Sequence, residues 1–255
     1  NYIVMHDELG FLATSFNTMA EGLQNEINER KSVEVFALRQ TKIVNAIDKV
    51  LRESLMNKTE EEVCKMFLKT AEKLTESRFG LIGEINDTGL FDTIAISNPG
   101  WDACRMPDSD ATRLIKNMEI RGVDRTTMRE GKSRIVNDPS NHPDKVGTPE
   151  GHPRLTSFLG VPLKIKGKTI GMIGLGNKNS GYDKYDQKAI EDLSVAFVET
   201  LMRKRAEDGV KSANIALVDE ITERKRIQEE LVRKEKFAII GRISGSIAHD
   251  IRHPL

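Results

Sequence analysis

The stretch SFLGVPLKIKGKTIGMIGLGNK, residues 157–178, constrains the fold more than any other part of the sequence. Its two apolar runs meet at Lys166-Gly167-Lys168, which predicts two strands joined by a short turn. Glycine recurs in the second run, at positions 171, 174 and 176. Such glycines weaken a strand but allow backbone or a ligand to approach it closely. The chain is therefore expected to contain a β-sheet with close contacts along one of its strands.

Further strands and helices are predicted on both sides of this pair. FGLIGEIND and LFDTIAISN are short apolar runs separated by a Thr-Gly turn, a pattern typical of a hairpin, and SRIVND is a predicted strand. Helices are predicted from Ile43 to about Ser77, from Ser109 to Met118, and from Tyr185 to about Glu207. Strands flanked by helices indicate a small α+β domain.

Both ends of the chain carry charged helical patterns with a narrow apolar stripe. In the first, coiled-coil spacings of 3, 4, 3 and 4 separate the apolar residues Leu9, Leu12, Phe16, Met19 and Leu23. The next apolar residue, Ile27, comes four positions later, so the seam shifts there. LQNEINERK, from Leu23 to Lys31, recurs as LVDEITERK, from Leu217 to Lys225. We interpret these segments as dimerising coiled-coil rods that bracket the α+β domain and transmit geometry.

Composition excludes several classes of protein. The 39 basic and 39 acidic residues balance, so nucleic acid is not expected as a partner. The two cysteines, Cys64 and Cys104, favour a reducing compartment over a disulfide framework. No apolar run has the roughly 18 residues of a membrane span. Because the sequence opens on Asn1, we expect it to be part of a longer protein.

The middle of the chain resembles a GAF domain, from about residue 42 to 207. The resemblance is carried by FLGVPLKIKGKTIGMIGLGNK followed by GYDKYDQKAIEDLS. It implies an antiparallel sheet with helices on one side and a small-molecule pocket on the other. In GAF domains that bind cyclic nucleotides, a signature corresponds to Asn177, Lys178 and Asp186, but Tyr182 and Gln187 depart from it. We favour a structural salt bridge between Lys178 and Asp186 over a nucleotide site.

The ligand of such a pocket stays open, and no metal site is predicted. Haem is one alternative, because loops expected to border the pocket contain Cys and His, which can be axial ligands. An unidentified organic molecule, or no ligand, is the default. The loop residues considered for the haem alternative are Trp101, Cys104, His142 and His152. Candidate ligand-binding residues are Trp101, Cys104, His152 and Phe158.

The first 27 residues resemble the second helix of a HAMP domain. The matching positions are Asp7, Glu8, Gly10, Phe16, Asn17 and Met19. Residues 28–41 would then form a helical linker. The resemblance implies a transmembrane segment upstream, so we expect the chain to be the cytoplasmic portion of an inner-membrane sensor.

The ending SGSIAHDIRHPL resembles the phosphoacceptor box (HisKA) of sensor histidine kinases. The match covers His249, Asp250, Pro254 and Leu255 within residues 237–255, after a coiled-coil linker at 208–236. At 100° per residue, His249 falls about 180° from Ile240. The other stripe residues close to Ile240 are Ile243, Ile247 and Ile251. A histidine opposite the apolar stripe would be accessible, and Pro254 is expected to kink or end the helix near Asp250.

The resemblance implies that His249 takes the γ-phosphate of ATP and passes it to an aspartate of a response regulator. Asp250 would orient the imidazole. The ATP-binding domain is absent, so this homodimeric fragment is expected to be inactive alone. His253 departs from the Thr or Asn that supports phosphatase activity in that family. The alternatives are a non-enzymatic ligand-binding relay module and, with less support, a GAF-regulated cyclase or phosphodiesterase.

Overall fold

The computed structural model describes residues 2–56, 58–97, 115–122, 124–143, 145 and 154–252, without the side chains of 2–9, 124 and 245–252. Two units are distinguished, residues 1–201 and 202–255. The elements, in chain order, are α1 (Tyr2–Ser54), α2 (Glu60–Thr75), β1 (Phe79–Ile85), β2 (Phe91–Ile96), α3 (Asp124–Glu130), β3 (Arg134–Val136), a 3-10 turn (Pro139–Asn141), β4 (Phe158–Ile165), β5 (Lys168–Gly176) and α4 (Lys184–Arg252).

Five antiparallel strands form one sheet in the order β2-β1-β5-β4-β3. The two hairpins and the strand predicted from SRIVND are confirmed. In the β4–β5 turn, Lys166 and Gly167 both have positive φ, at 48° and 82°. Positive φ at both central residues is the geometry that suits the twist of a two-residue hairpin. The sheet is therefore the α+β framework that the sequence predicts.

One face of the sheet packs against α2 and the beginning of α4. Helix α2 begins with a capping box in which Thr59 and Glu62 bond each other's backbone N–H groups. Its apolar face is buried, and the ring of Phe67 meets that of Phe197 at 5.2 Å in an edge-on arrangement. At the other end of the domain, Phe36 and Arg39 of α1 contact the Tyr185 ring. The α2 face is thus a continuous hydrophobic core.

The opposite face carries a second, smaller core beneath α3. Its buried members are Phe91, Met128, Val136, Phe158 and Met172. Helix α3 contacts β4 and β5, and it contributes Met128 to this cluster. Among the described residues, the sheet is therefore covered by α2 and α4 on one side and by the short helix α3 on the other.

Two sequence predictions about helices need correction. The predicted helix from Ile43 to Ser77 is two helices, because the chain leaves α1 at Ser54 and a new N-cap forms at Thr59. The predicted helix from Ser109 to Met118 is wrong in its described part, where Met118 forms a β-bridge with Phe91. Residues 109–114 lie outside the described residues. Helix α3 was not predicted, since DRTTMRE has no apolar period.

The last helix extends much further than the predicted end at Glu207. Helix α4 runs from Lys184 to Arg252. Its first part is buried in the domain through Ile190, Leu193, Phe197 and Leu201. From residue 206 to 244 every described residue is exposed. The charged sequence of this segment likewise predicts a helix whose side chains are exposed along its length.

Gly171 is required by a close approach of two strands. A Cβ at this position would overlap the carbonyl oxygen of Gly83 and lie 2.8 Å from the Cα of Glu84. Both of these are backbone atoms of β1, which pairs with β5 here. The glycine pattern predicts close approach of either backbone or a ligand. At Gly171 the group that approaches is the backbone of β1.

We predict that Gly171→Ala lowers the free energy of unfolding by about 2 kcal/mol or more, because overpacking against backbone has no flexible group to yield. Gly209→Ala is the control, since nothing lies within 4 Å of a Cβ there. An exposed helical glycine replaced by alanine should gain up to about 1 kcal/mol. Urea denaturation measures both, and equal effects of the two substitutions would contradict the close approach.

Candidate functional site

A row of paired residues crosses the α3 face of the sheet and forms the floor of a candidate site. Leu81 pairs with Gly174, Gly174 with Gly160, and Gly160 with Arg134. The two glycines allow other side chains to approach the backbone of the sheet closely, and the Phe158 ring lies over both of them.

The hydroxyl of Thr127 lies directly over this floor. Its Oγ1 is 2.7 Å from the point that a Cβ on Gly160 would occupy, and the Phe158 ring is 2.9 Å from the same point. Thr127 is fully buried, and its Oγ1 has no hydrogen-bond partner among the described residues. An unpaired buried hydroxyl costs about 1–3 kcal/mol. The fold therefore leaves one polar atom unsatisfied within an otherwise apolar cluster.

Arg134, at the end of the row, is half-buried and contacts neutral groups. Its Nη2 lies 2.9 Å from Nε2 of His142, and its Nη1 lies 3.4 Å from the Thr126 hydroxyl. A guanidinium has only donors, so the imidazole nitrogen that it meets accepts the hydrogen bond. Nearby, the exposed Arg154 donates to the Ser140 hydroxyl at 3.1 Å. This corner of the sheet is therefore rich in donors.

The predicted pocket residues fall in different places. Phe158 is buried in the α3-face cluster, next to Thr127. Trp101, Cys104 and His152 lie outside the described residues. Within the described ranges, no group of three His, Cys, Asp or Glu residues is arranged to hold a metal. The haem alternative stays a prediction.

Sequence reasoning missed Thr127 and Arg134. Alternation along the predicted strand SRIVND does put Arg134 and Val136 on one face, so a signal was available for the arginine. For Thr127 no comparable signal exists, because its helix lacks an apolar period.

The salt bridge predicted between Lys178 and Asp186 is confirmed. Both carboxylate oxygens accept from the Lys178 ammonium, at 2.8 and 2.7 Å. The two side chains are only 14% and 8% exposed. Asp186 also accepts from the backbone N–H of Asp183 at 2.9 Å. The pair therefore joins the segment after β5 to the first turn of α4, as the structural interpretation required.

A buried polar chain lies beside this ion pair. The Tyr182 hydroxyl is 2.8 Å from that of Ser77, which is 2.6 Å from that of Thr75. Burial raises the pKa of Tyr182, with smaller contributions from the charges of Asp186 and Glu72. Burial also raises the pKa of Glu72, and Oε1 of this residue has no hydrogen-bond partner in the described part of the chain. Glu72 is thus held in an environment that disfavours its charge.

His249 and Asp250 belong to α4, whose described side chains end at Ser244. The arrangement of their side chains therefore stays a prediction. The isoleucines at 240 and 243, which begin the predicted stripe, are exposed. Helix α4 continues through Arg252, two residues beyond Asp250.

Exposed apolar stripes follow both rods. In α1 the exposed fraction falls from 70% at Leu12 to 45% at Ile27. In the unit from 202 to 255, Leu217 and Ile221 are exposed in the same way. The two copies of the repeat also carry the same ion pair at 2.7 Å, Glu26 with Arg30 and Glu220 with Arg224.

Membrane spans are a separate question. Among the described residues, none of the helices combines the length and hydropathy that a membrane span needs.

We predict that Asp186→Asn costs about 3 kcal/mol of stability, because it leaves a buried lysine without its partner. Asp192→Asn is the matched control, since Lys188 and Asp192 form a largely exposed pair at 2.6 Å in the same helix. Exposed pairs contribute about 1 kcal/mol at most. Unfolding in urea compares the two variants, and a loss for Asp186→Asn no larger than the control would contradict the role of the pair.

We predict a pH-dependent effect of Glu72→Gln. The folded pKa of Glu72 is raised above its ordinary value of 4.5, so the folded state binds the proton more tightly than the unfolded state. The stability from this group is present below pH 4.5 and is lost as pH rises through the folded pKa. Relative to wild type, Glu72→Gln should therefore gain stability between pH 4.5 and pH 7. Thermal unfolding over this range tests it, and a constant difference would contradict it.

Comparison with known proteins places this architecture in a family. A family model for the GAF domain matches residues 57–197. The chain is 24% identical over 194 residues to a methyl sulfide methyltransferase-associated sensor of Methanosarcina acetivorans, covering 74% of this chain. It spans only 19% of the length of that relative.

Solved structures show the same fold. The GAF domain of a phosphoenolpyruvate-protein phosphotransferase from Coxiella burnetii matches with a TM-score of 0.55 and 13% identity, covering 66% of this chain and 98% of that one. The free methionine-R-sulfoxide reductase from Neisseria meningitidis, solved with its substrate, matches with a TM-score of 0.51 and 14% identity, covering 65% and 91%. The sheet order, the helical layer and the family match agree, and the chain belongs to the GAF domain family.

Proposed function

We propose that this chain is the sensory part of a two-component histidine kinase. Its GAF domain senses a small molecule and signals through a coiled coil to the phosphoacceptor His249. The proposed organisation comprises a HAMP helix (1–27), a linker (28–41), the GAF domain (42–207), a coiled coil (208–236) and the start of the HisKA helix (237–255). An upstream transmembrane segment would make the chain the cytoplasmic portion of an inner-membrane sensor.

One observation supports this proposal: a single helix contains both buried residues of the GAF core and His249 and Asp250, which belong to the segment that resembles a phosphoacceptor box. Helix α4 packs into the domain through Phe197 and includes His249 and Asp250. A helix that is continuous between a sensor domain and an acceptor histidine is suited to carry a change from one to the other. The Methanosarcina acetivorans relative, itself named as a sensor, supports the sensory half of the proposal.

Dimerisation follows from the exposed stripes. Single exposed apolar residues are ordinary, but a heptad stripe from Leu12 to Leu23 favours a partner helix. A second copy of the chain would supply that helix. In such a dimer, a ligand that favours one of two rod packings would shift the population of the other.

The chemistry proposed for His249 uses a neutral imidazole as a nucleophile. One ring nitrogen attacks the γ-phosphorus of ATP, the bond to ADP breaks, and the phosphoryl group then passes to an aspartate of a receiver domain. Asp250 would fix the tautomer by accepting from the other ring N–H. ATP and the domain that binds it belong to the full-length protein. The signal stays open, with Trp101, Cys104, His152 and Phe158 as candidate ligand contacts and haem as one alternative ligand.

We predict that His249→Gln abolishes autophosphorylation of the full-length protein, because glutamine has no nucleophilic ring nitrogen. The matched control is His253→Gln, which removes a second histidine from the same segment and should leave autophosphorylation. Incorporation of labelled phosphate from ATP, stable in base and labile in acid, is the measurement.

Acid-labile phosphate retained by His249→Gln would contradict the assignment. A full-length wild-type protein that takes up no phosphate would favour the alternative, a relay module that binds a ligand and dimerises.

A further inference from the structure

We infer that the GAF domain binds a small carboxylate with an apolar body, held by Arg134 and Thr127 above the glycine pair Gly160 and Gly174. This inference rests on the proposed function only in that the domain senses a small molecule. It is independent of the phosphotransfer assigned to His249.

The guanidinium of Arg134 supplies the charge that selects an anion. Among the described residues it forms no ion pair with an acid, and its contacts are His142 Nε2 at 2.9 Å and the Thr126 hydroxyl at 3.4 Å. Both are neutral acceptors. A carboxylate that replaced the imidazole as acceptor would form a charge-assisted bond, which is stronger and can be bidentate. A cationic ligand is disfavoured at the same place by like charge.

The Thr127 hydroxyl supplies a second donor close to the first. It lies over Gly160, whose partner across the strands is Arg134. The Arg134 guanidinium reaches the same helix, since its Nη1 lies 3.4 Å from the hydroxyl of the adjacent Thr126. Thr127 is fully buried, with no partner for Oγ1 in the described part of the chain. One ligand oxygen would satisfy it.

The body of the ligand must be apolar. The Phe158 ring and the hydroxyl approach the same point over Gly160, and Phe158 belongs to one buried cluster with Met172 and Met128. Methionine side chains are flexible and polarisable, so they adapt to an inserted group more readily than branched residues do. A sugar or a phosphate would place several polar atoms against these side chains without partners. A ligand with one anionic end and one hydrocarbon end matches both parts of the site.

The test uses the whole 255-residue chain and two carboxylates, phenylacetate and 4-methylpentanoate, each beside its primary amide. Isothermal titration should show that at least one acid binds, with a Kd roughly tenfold or more below that of its amide, because a bond to a charged group is lost in the amide. Arg134→Gln and Thr127→Val should each weaken binding of that acid by roughly tenfold or more. Arg129→Gln is the control, since Arg129 is exposed on α3, the helix that also contains Thr127. The Kd of this variant for the acid should stay within about twofold of wild type.

Thermal unfolding of each variant establishes that it is folded, and Arg134→Lys replaces Arg134→Gln if the latter is not. Lysine keeps the charge but loses the bidentate geometry, so an intermediate loss of affinity is expected. Equal affinities for acid and amide, binding unchanged by the Arg134 and Thr127 variants, or no binding of either acid would each overturn the inference. None of these outcomes alters the phosphorylation test of His249, so the two proposals fail separately.

Discussion

The buried ion pair between Lys178 and Asp186 is the contact on which the rest of the domain depends. It joins the segment after β5 to the first turn of α4. Asn177, the neighbour of the lysine, accepts from the backbone N–H of Thr156 at 2.8 Å and donates to the carbonyl of Arg154 at 2.9 Å. The approach to β4 and the start of α4 are therefore attached to one short segment. Removing one charge of the pair would leave the other buried without a partner. Replacement of either residue alone is therefore expected to destabilise the domain.

The two faces of the sheet follow different physical rules. Against α2 and α4, burial is apolar and nearly complete, and the side chains interlock around Phe67 and Phe197. Beneath α3, the same sheet has paired glycines, a buried hydroxyl that lacks a hydrogen-bond partner within the described part of the chain, and an arginine with neutral partners. Departures from good local packing are tolerated where a stable framework on the other side supports them. The two faces therefore differ in how completely their packing and hydrogen bonding are satisfied.

The sequence allowed the framework to be predicted but only part of the site. Hairpins were predictable because alternating apolar runs and a Lys-Gly turn are local signals. The partnership of Lys178 with Asp186 was predictable because only eight positions separate the two charges. Helix α3 and Thr127 were not, because DRTTMRE gains its helical form from packing on β4 and β5. The Gly160–Arg134 register depends on strand pairing across residues distant in sequence, and no local pattern specifies it.

The repeated segments, Leu23–Lys31 and Leu217–Lys225, have a consequence for fidelity of assembly. Both segments present leucine and isoleucine beside the same glutamate–arginine pair. Each segment therefore offers nearly the same surface to a helix that would pack against it. Discrimination between them must come from the positions that differ. Asn28 accepts from Gln24 at 3.1 Å, whereas Thr222 donates to its own backbone at Val218. In the proposed dimer, correct pairing of these two similar segments would depend on such small polar differences, since specificity is a difference between affinities.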